Sequence, residues 1–384
     1  MAKLGDIFVK QIVGEWGNEC NNESNGVFVL RTTNFSNSGV INYDKVVKRD
    51  IPDNKVEEKK LKYGDIILEK SGGTDKTPVG RVVFCDNKIE SDVYLCNNFT
   101  QAMRVDNSIA IPKYVFYLMY YFHQIGITDL LQSKTTGIRN LRLRDYLNTD
   151  IKLPNLAEQE HCVIYLDKLT VLISLRQQQL EKLDELVKSR FIELFGEPVV
   201  NPKGFPCYTV GEVIDFQGGS QPDKKYFEYE PSPDNIRLIQ IRDYKSDKYI
   251  TYIPKTMAKR FCTVDDIMIG RYGPPIFQIL KGIEGSFNVA LMKATPKMGN
   301  REFVRQFLKQ DCLLEYLEGL SKRTAGQDGI QMDKLKAYPF PYPPIELQEQ
   351  FAAFVKHTDK SKVAVQASIT KCHYLTKKGV NTHA

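Results

Sequence analysis

The chain has no apolar run long enough to cross a bilayer. Its longest, Tyr114-Val115-Phe116-Tyr117-Leu118-Met119-Tyr120-Tyr121-Phe122, falls far short of the ~20 residues that a spanning helix needs. The N-terminus, Met1-Ala2-Lys3-Leu4-Gly5-Asp6, lacks the apolar stretch and cleavage site of a secretory leader. The eight cysteines, at 20, 85, 96, 162, 207, 262, 312 and 372, include no Cys-x-x-Cys pair, and no histidine stands at metal-ligand spacing. Cys372-His373 is an isolated neighbour pair. Scattered reduced thiols in a prokaryotic cytoplasm, without a metal site, are the expectation.

Catalytic signatures are equally scarce. There is no Gly-x-x-x-x-Gly-Lys-Ser/Thr loop, and Gly72-Gly73-Thr74-Asp75-Lys76-Thr77 is glycine-rich but misspaced for phosphate binding. No glycine-rich strand-to-helix turn suggests a cofactor. Gly273-Pro274-Pro275-Ile276 lacks the polar acceptor and stacking ring of the boxes that grip an exocyclic amine. Pro52-Asp53 with Glu57-Glu58-Lys59 is too tightly spaced for a nuclease-like acidic set and reads as a solvated segment. His161, between Glu160 and Cys162, reads as a packed or surface residue. No catalytic residue is assigned.

At 384 residues the chain suits two domains of about 150 residues with connectors. Hydrophobic residues at 42% and charged residues at 26% describe a folded globular protein. A net charge of +6, with 20 Tyr and 20 Phe beside 53 Lys and Arg, permits a polyanionic partner without requiring one.

The clearest element is a helix over Leu156 to Phe195, forty residues without Gly or Pro. Cys162, Leu166, Leu169, Ile173, Arg176, Leu180, Leu183, Val187, Arg190 and Leu194 follow alternating steps of three and four, and eight of these ten are apolar. Such a seam faces a partner helix, as in a coiled coil. Asn155 with Glu158 predicts a reciprocal N-terminal cap, and Gly196 a C-terminal stop. The rod would be about 60 Å long. Pro343-Pro344 opens a second, more polar helix with a stripe of Phe351, Phe354, Val355 and Thr358, running through Ile369 to about Tyr374. Residues 376–384 read as a polar tail. Antiparallel pairing of the two helices hides both seams; a homodimeric coiled coil is the alternative.

The chain also repeats itself. Thr135/Thr324, Gly137/Gly326, Pro154/Pro343, Gln159/Gln348 and Glu160/Glu349 are identical under one offset of 189 residues. Weaker echoes keep the same order. Lys3-Leu4-Gly5-Asp6-Ile7 answers Thr209-Val210-Gly211-Glu212-Val213, and Gly64-Asp65-Ile66-Ile67 answers Asp265-Asp266-Ile267-Met268. Lys70-Ser71-Gly72 matches Arg271-Tyr272-Gly273, and Met103-Arg104 matches Met292-Lys293. An internal duplication follows. The fold class is α+β: two related globular domains separated by two long antiparallel coiled-coil-like helices. The expected boundaries are 1–153 for the first domain, 154–196 for the first helix and 197–206 for a proline-rich linker. The second domain takes 207–342, and the second helix with its tail 343–384. Strands are expected at Gly26 to Arg31, Asp65 to Lys70, Val79 to Cys85, Ile236 to Arg242 and Asp266 to Arg271. Helices are expected at Pro112 to Phe122 and Arg301 to Leu320.

Binding chemistry recurs at the same boundary in each half. Lys134, Thr135, Thr136, Gly137, Arg139, Asn140 and Arg142 combine cations, hydroxyls and an amide with a glycine for close backbone approach. Lys322, Arg323, Thr324, Gly326 and Gln327 repeat the recipe. Such groups suit phosphates, and Arg, Asn and Gln can read base edges. Weaker candidates are Arg31, Thr33 and Asn34, with Gln240 and Arg242, at a strand end in each half; Lys70 and Arg271 follow. Two similar surfaces at a fixed separation suit a two-part target.

With the Thr-x-Gly loops, the Leu/Tyr-Pro…Gln-Glu helix openings, the forty-residue Leu-Glu-Lys-Leu helix and the Gly-Asp-Ile-Ile strand, the whole chain resembles the DNA-specificity subunit of a type I restriction–modification system. The resemblance implies two target-recognition domains, each reading one half of a bipartite duplex site, with helix length setting the unread spacer. It implies docking of two modification (methyltransferase) subunits and of restriction–motor subunits. S-adenosylmethionine, ATP and Mg would then reside on those partners, this chain being a non-catalytic reader. A stand-alone DNA-modifying or DNA-cleaving enzyme and a helical scaffold that binds no DNA are the alternatives.

Overall fold

A computed structural model describes residues 2–20, 26–74, 77–135, 137–272, 275–321 and 329–383. Its contacts divide the chain into two units, one of residues 1–177 with 367–384 and one of residues 178–366.

In the first unit, strands Phe8–Val13, Thr100–Val105, Ile66–Glu69 and Val82–Phe84 lie side by side in that order, all antiparallel. A second sheet orders Asn18–Glu19, Val47–Asp50, Val27–Leu30 and Tyr94–Cys96, and its last pair runs parallel. Ile66–Glu69 is an unbroken apolar run apart from its last residue, because both of its faces are covered. Ile66 and Leu68 join the core made with Val115, Leu118 and Met119 of the helix Pro112–Gln124, while Ile67 joins Leu30 and Phe35. Proline opens that helix at no cost in hydrogen bonds. The chain ends of this module meet, since Ala2–Lys3 pairs antiparallel with Asp150–Ile151.

The long helix that follows, Leu156–Phe195, starts as expected: Asn155 Oδ1 accepts from Glu158 N at 3.0 Å, and Asn155 N donates to Glu158 Oε2 at 3.3 Å. Cys162, Leu166 and Leu169 are buried in the first unit's core together with Cys372 of the second long helix, Ile345–His383. Here the sequence-based expectation needs correcting, because residues 376–383 are helical rather than a polar tail. Gly379 explains the continuation. A Cβ there would stand 3.3 Å from the Tyr165 ring and 3.5 Å from Leu166, so the missing side chain gives this stretch a close-packed partner.

The second unit repeats the plan. Strands Ile214–Gly218, Leu291–Pro296, Ile267–Gly270 and Gln278–Lys281 form an antiparallel sheet in the same order. Its companion orders Tyr252–Pro254, Asn235–Ile239, Gly285–Phe287 and Phe261–Cys262, again with one parallel pair, here the central one. Ile267 and Ile269 face the core of the helix Arg301–Leu308, and Met268 faces Ile239 and Phe287. Cys207–Thr209 pairs with Pro339–Pro341, closing this module as the first is closed. The helix expected over Arg301 to Leu320 is instead two, Arg301–Leu308 and Asp311–Ser321; the Gln310 carbonyl accepts from Leu313 and Leu314 and starts the second.

Within this unit the long helices pack through rings. Phe191 stacks on Phe303 at 5.7 Å between centroids and meets Phe351 edge-on at 5.6 Å. Further along, Lys362 pairs with Asp184 at 2.5 Å. As one helix ascends from 184 to 191 the other descends from 362 to 351, so the two run antiparallel here. All ten seam positions of the first helix are buried or half-buried. Gly196, at φ +74°, follows its last turn, and its N–H donates to the Ile192 carbonyl.

Candidate nucleic-acid interface

In the first unit the Thr-x-Gly segment is a β-hairpin. Gln132–Thr135 pairs with Ile138–Leu141, placing Lys134 opposite Arg139 and Ser133 opposite Asn140. Gly137 sits between them at φ +84°, and a Cβ there would meet nothing within 4 Å, so the glycine serves backbone conformation rather than space. Thr136 and the side chains of Lys134 and Thr135 lie outside the described residues.

The hairpin brings a second candidate set beside it. Ile138–Leu141 also pairs with Ser71–Gly73, Asn140 lying opposite Ser71, whose hydroxyl donates to Asn140 Oδ1. Lys70, next in line, is half-buried, and that burial lowers its ammonium's pKa. Arg142 turns to the frame instead, donating to the Leu130 carbonyl and pairing with Asp145, both at 3.0 Å.

The strand-end set forms a tight turn. Asn34 is buried, accepts from Arg31 N at 3.0 Å and donates to the Asn42 carbonyl at 3.1 Å, so its amide is spent inside the fold. Thr33 beside it is exposed, and Arg31 is half-buried. Arg81, which sequence reasoning passed over inside a strand, fixes this turn. Its guanidinium pairs with Glu69 at 2.8 and 3.0 Å and donates to the Thr32 carbonyl at 3.3 Å. Glu69 raises the arginine's pKa. Thr32, Ser36 and Asn37 of the turn, with Gly72 and Thr77, line a cleft of about 630 Å³. The strand-end turn, the Lys70 strand and the hairpin are therefore contiguous parts of one unit.

In the second unit Lys322, Arg323, Thr324, Gly326 and Gln327 lie outside the described residues. Just after that segment Gly329 forms an antiparallel bridge with Tyr272, the residue that follows Arg271. Arg271 stands 5.3 Å over the Tyr272 ring and reaches the Val289 carbonyl at 3.5 Å. At the strand end, Gln240 Nε2 and Arg242 Nη2 both donate to Thr251 Oγ1, at 3.1 and 2.9 Å. A Cβ at Gly270 would come within 2.9 Å of Ile241, which places this turn against the Arg271 strand. Asp243 is buried, and burial raises its carboxyl against the pull of Gln240 N–H, Arg237 and Arg242. Tyr229, Tyr249 and Tyr252 join Arg242, Lys248, Glu230 and Asp247 around a cleft of about 610 Å³, an aromatic lining of mixed charge that sequence reasoning did not single out. Its signal was present in the Lys/Tyr-rich run 224–252.

Most sequence echoes are framework. Asp65 and Asp266 each cap a turn, accepting from Lys62 N at 2.8 Å and Thr263 N at 2.9 Å. Each also meets the cation on the neighbouring strand, Arg104 at 2.8 Å and Lys293 at 3.5 Å. Gln159 and Gln348 are fully buried hooks. Gln159 Oε1 accepts from Ile111 N and its Nε2 donates to Pro154 O, both at 2.8 Å. Gln348 does the same with Asn300 N and Pro343 O, again at 2.8 Å. Asp53–Lys59 is a short helix whose Lys59 pairs with Glu15 at 2.6 Å, so this charged run makes a scaffold contact. Among the described residues no group of three or more His, Cys, Asp or Glu is placed to hold a metal, and no helix is long and apolar enough to cross a membrane.

A twice-built α+β module, each copy with a basic hairpin or strand edge beside a capped turn and with a long helix hooked to it, defines a duplicated recognition scaffold. The chain belongs to the type I restriction modification DNA specificity domain family, whose model matches residues 1–185 and 202–371. It is 23% identical over 337 residues to a putative type I restriction enzyme MjaX specificity subunit of Methanocaldococcus jannaschii, covering 81% of this chain and 75% of the relative. To the type I restriction enzyme MjaVIII specificity subunit of the same organism it is 24% identical over 273 residues, 63% of each. Two solved structures share the fold. A chain from a type I R-M system studied for complex assembly and conformational transition matches with TM-score 0.57 at 18% identity, over 100% of this chain and 96% of that one. The type I restriction-modification system S subunit from M. genitalium matches with TM-score 0.54 at 14% identity, over 99% and 94%.

Proposed function

We propose that this chain reads a bipartite, asymmetric double-stranded DNA site and directs methyltransferase subunits, with restriction–motor subunits where present, to it. The observation that carries the reading is that both halves match one DNA-specificity family model while repeating one frame around cationic, hydroxyl-bearing edges. Residues 1–153 and 207–342 act as the two target-recognition domains. Cations at the hairpin and its counterpart, Lys134, Arg139 and Arg323 among them, place each domain on phosphates, and a few side chains read base edges. The long helices set the unread spacer and dock two modification subunits. The chain itself is non-catalytic and works in the cytoplasm. S-adenosylmethionine, ATP and Mg²⁺ act on the partner subunits, which extrude the target base from the stack to reach it.

The test is co-production with cognate modification subunits in a methylation-free host, followed by methylome sequencing. A bipartite adenine-methylated motif that disappears without this chain is the expected result. A stable complex that methylates nothing would favour a scaffold role, and methylation or cleavage by the isolated chain would show an enzyme.

A further inference from the structure

One position in each unit is presented by the same backbone device and carries different chemistry. Val27–Leu30 and Asn235–Ile239 are central strands with a parallel neighbour, and both end in a short 3₁₀ turn, Thr32–Asn34 and Ile241–Tyr244. Each end is pinned twice. The Leu30 carbonyl accepts from Asn97 N at 2.9 Å, and the Ile239 carbonyl accepts from Asn288 N at 3.0 Å. Asn34 caps Arg31 N at 3.0 Å, and Asp243 caps Gln240 N at 3.1 Å. Both capping residues are buried.

An offset of 209 residues superposes the two caps and makes Thr33 the counterpart of Arg242. Thr33 is exposed, and the Arg242 side chain is 48% exposed. The frame around them is duplicated; these side chains are not. We infer that Thr33 and Arg242 are equivalent specificity-determining positions, one for each half of the target, with Arg242 reading a guanine edge and Thr33 reading a base-edge acceptor through its hydroxyl. This rests on the DNA-reading function proposed above.

The chemistry supports the pairing. Thr251 holds Arg242 Nη2 at 2.9 Å, and the buried Asp243 carboxylate lies 4.0 Å from its Nε, so the guanidinium is oriented before any ligand arrives. A planar, pre-oriented guanidinium is the commonest match to the paired O6 and N7 acceptors of guanine. A threonine offers a hydroxyl, which suits a single acceptor. Asn34, although a better base reader by residue type, has its amide committed to Arg31 and Asn42.

Methylome sequencing of the assembled methyltransferase with Arg242→Ala, Arg242→Lys and Thr33→Val tests the inference. Both Arg242 variants should lower discrimination at one base of one half-site by about 5- to 150-fold, the size of a lost bidentate contact. Lysine keeps the charge but not the fork. Thr33→Val should alter discrimination in the other half-site only, and the untouched half reports in each case that the complex folds. An unchanged motif in all variants overturns the inference. So does loss of methylation at every site by both Arg242 variants in an assembled complex, because the arginine would then anchor rather than read. An unmutated chain that yields no motif would instead sink the underlying function, so the two failures are told apart.

Discussion

Gln159 and Gln348 show what repetition at the residue scale means in this chain. Each sits one turn into a long helix, fully buried; its amide nitrogen donates to the proline carbonyl just before that helix, and its oxygen accepts from the backbone N–H that heads the module's own helix, Ile111 or Asn300. Gln159→Leu would leave the Ile111 N–H and the Pro154 carbonyl without a partner. The expected loss is about 1–3 kcal/mol for each orphaned group, seen as a lower urea midpoint, with Gln348→Leu behaving alike. An unchanged midpoint in either would refute the hook. Glu15 supports a pH-dependent prediction. Hydrogen bonds from Lys59, then Lys55, hold its carboxyl below the usual range. Its contribution is therefore complete above the unfolded value of about 4.3 and fades as pH falls through the lower folded value. The stability difference between the protein and Glu15→Gln should be flat near neutral pH and vanish in acid; a difference that persists in acid would contradict the ion-pair origin.

The elements differ in how much of them the sequence exposed. The first long helix was legible from cap to stop because its seam, its Asn155–Glu158 cap and Gly196 are local signals that tertiary packing reinforced. The second was cut short because its last residues, 376–384, are polar and include Gly379. The glycine's role is apparent only when Tyr165 and Leu166 of the other helix are beside it. The Thr-x-Gly segment reads from sequence as a binding loop whose glycine allows close backbone approach, but its hairpin form and its pairing with Ser71–Gly73, over sixty positions away, are not visible in spacing. Asn34 stands among the weaker base-contact candidates by sequence, because its hydrogen bond to Asn42, eight residues away, is not a local signal. The ring cluster of the second unit was only half visible: Phe351 lay on the expected stripe, whereas Phe191 and Phe195 fell off the seam. Phe191→Ala should cost about 3–5 kcal/mol, measured by urea unfolding, because it empties a site bounded by Phe195, Phe303 and Phe351. A cost below that of a surface mutation would mean the rings are not packed as described.

For the whole molecule, a division of labour follows from the duplication. The residues that echo between halves, Asp65/Asp266, Arg104/Lys293 and Gln159/Gln348, hold the frame, so an internal repeat search finds architecture before it finds the reading groups. Phosphate contacts and base contacts should separate in solution. Arg323→Ala or Lys134→Ala in the assembled complex should weaken binding to all duplexes and lower the slope of log affinity against log salt by roughly one. Fluorescence anisotropy across a salt series measures it. Unchanged affinity and slope would remove these side chains from the interface. A change confined to one sequence would instead make them readers.

The strand pairs that close each module, Ala2–Lys3 with Asp150–Ile151 and Cys207–Thr209 with Pro339–Pro341, bring the entry and exit of the chain side by side. A module whose two ends leave through one doorway is a cartridge: a new gene segment can replace it without rerouting the helices outside. Exchange at these straps is thus a shorter route to a new target than point mutation, because it carries a finished reading surface into a frame already built.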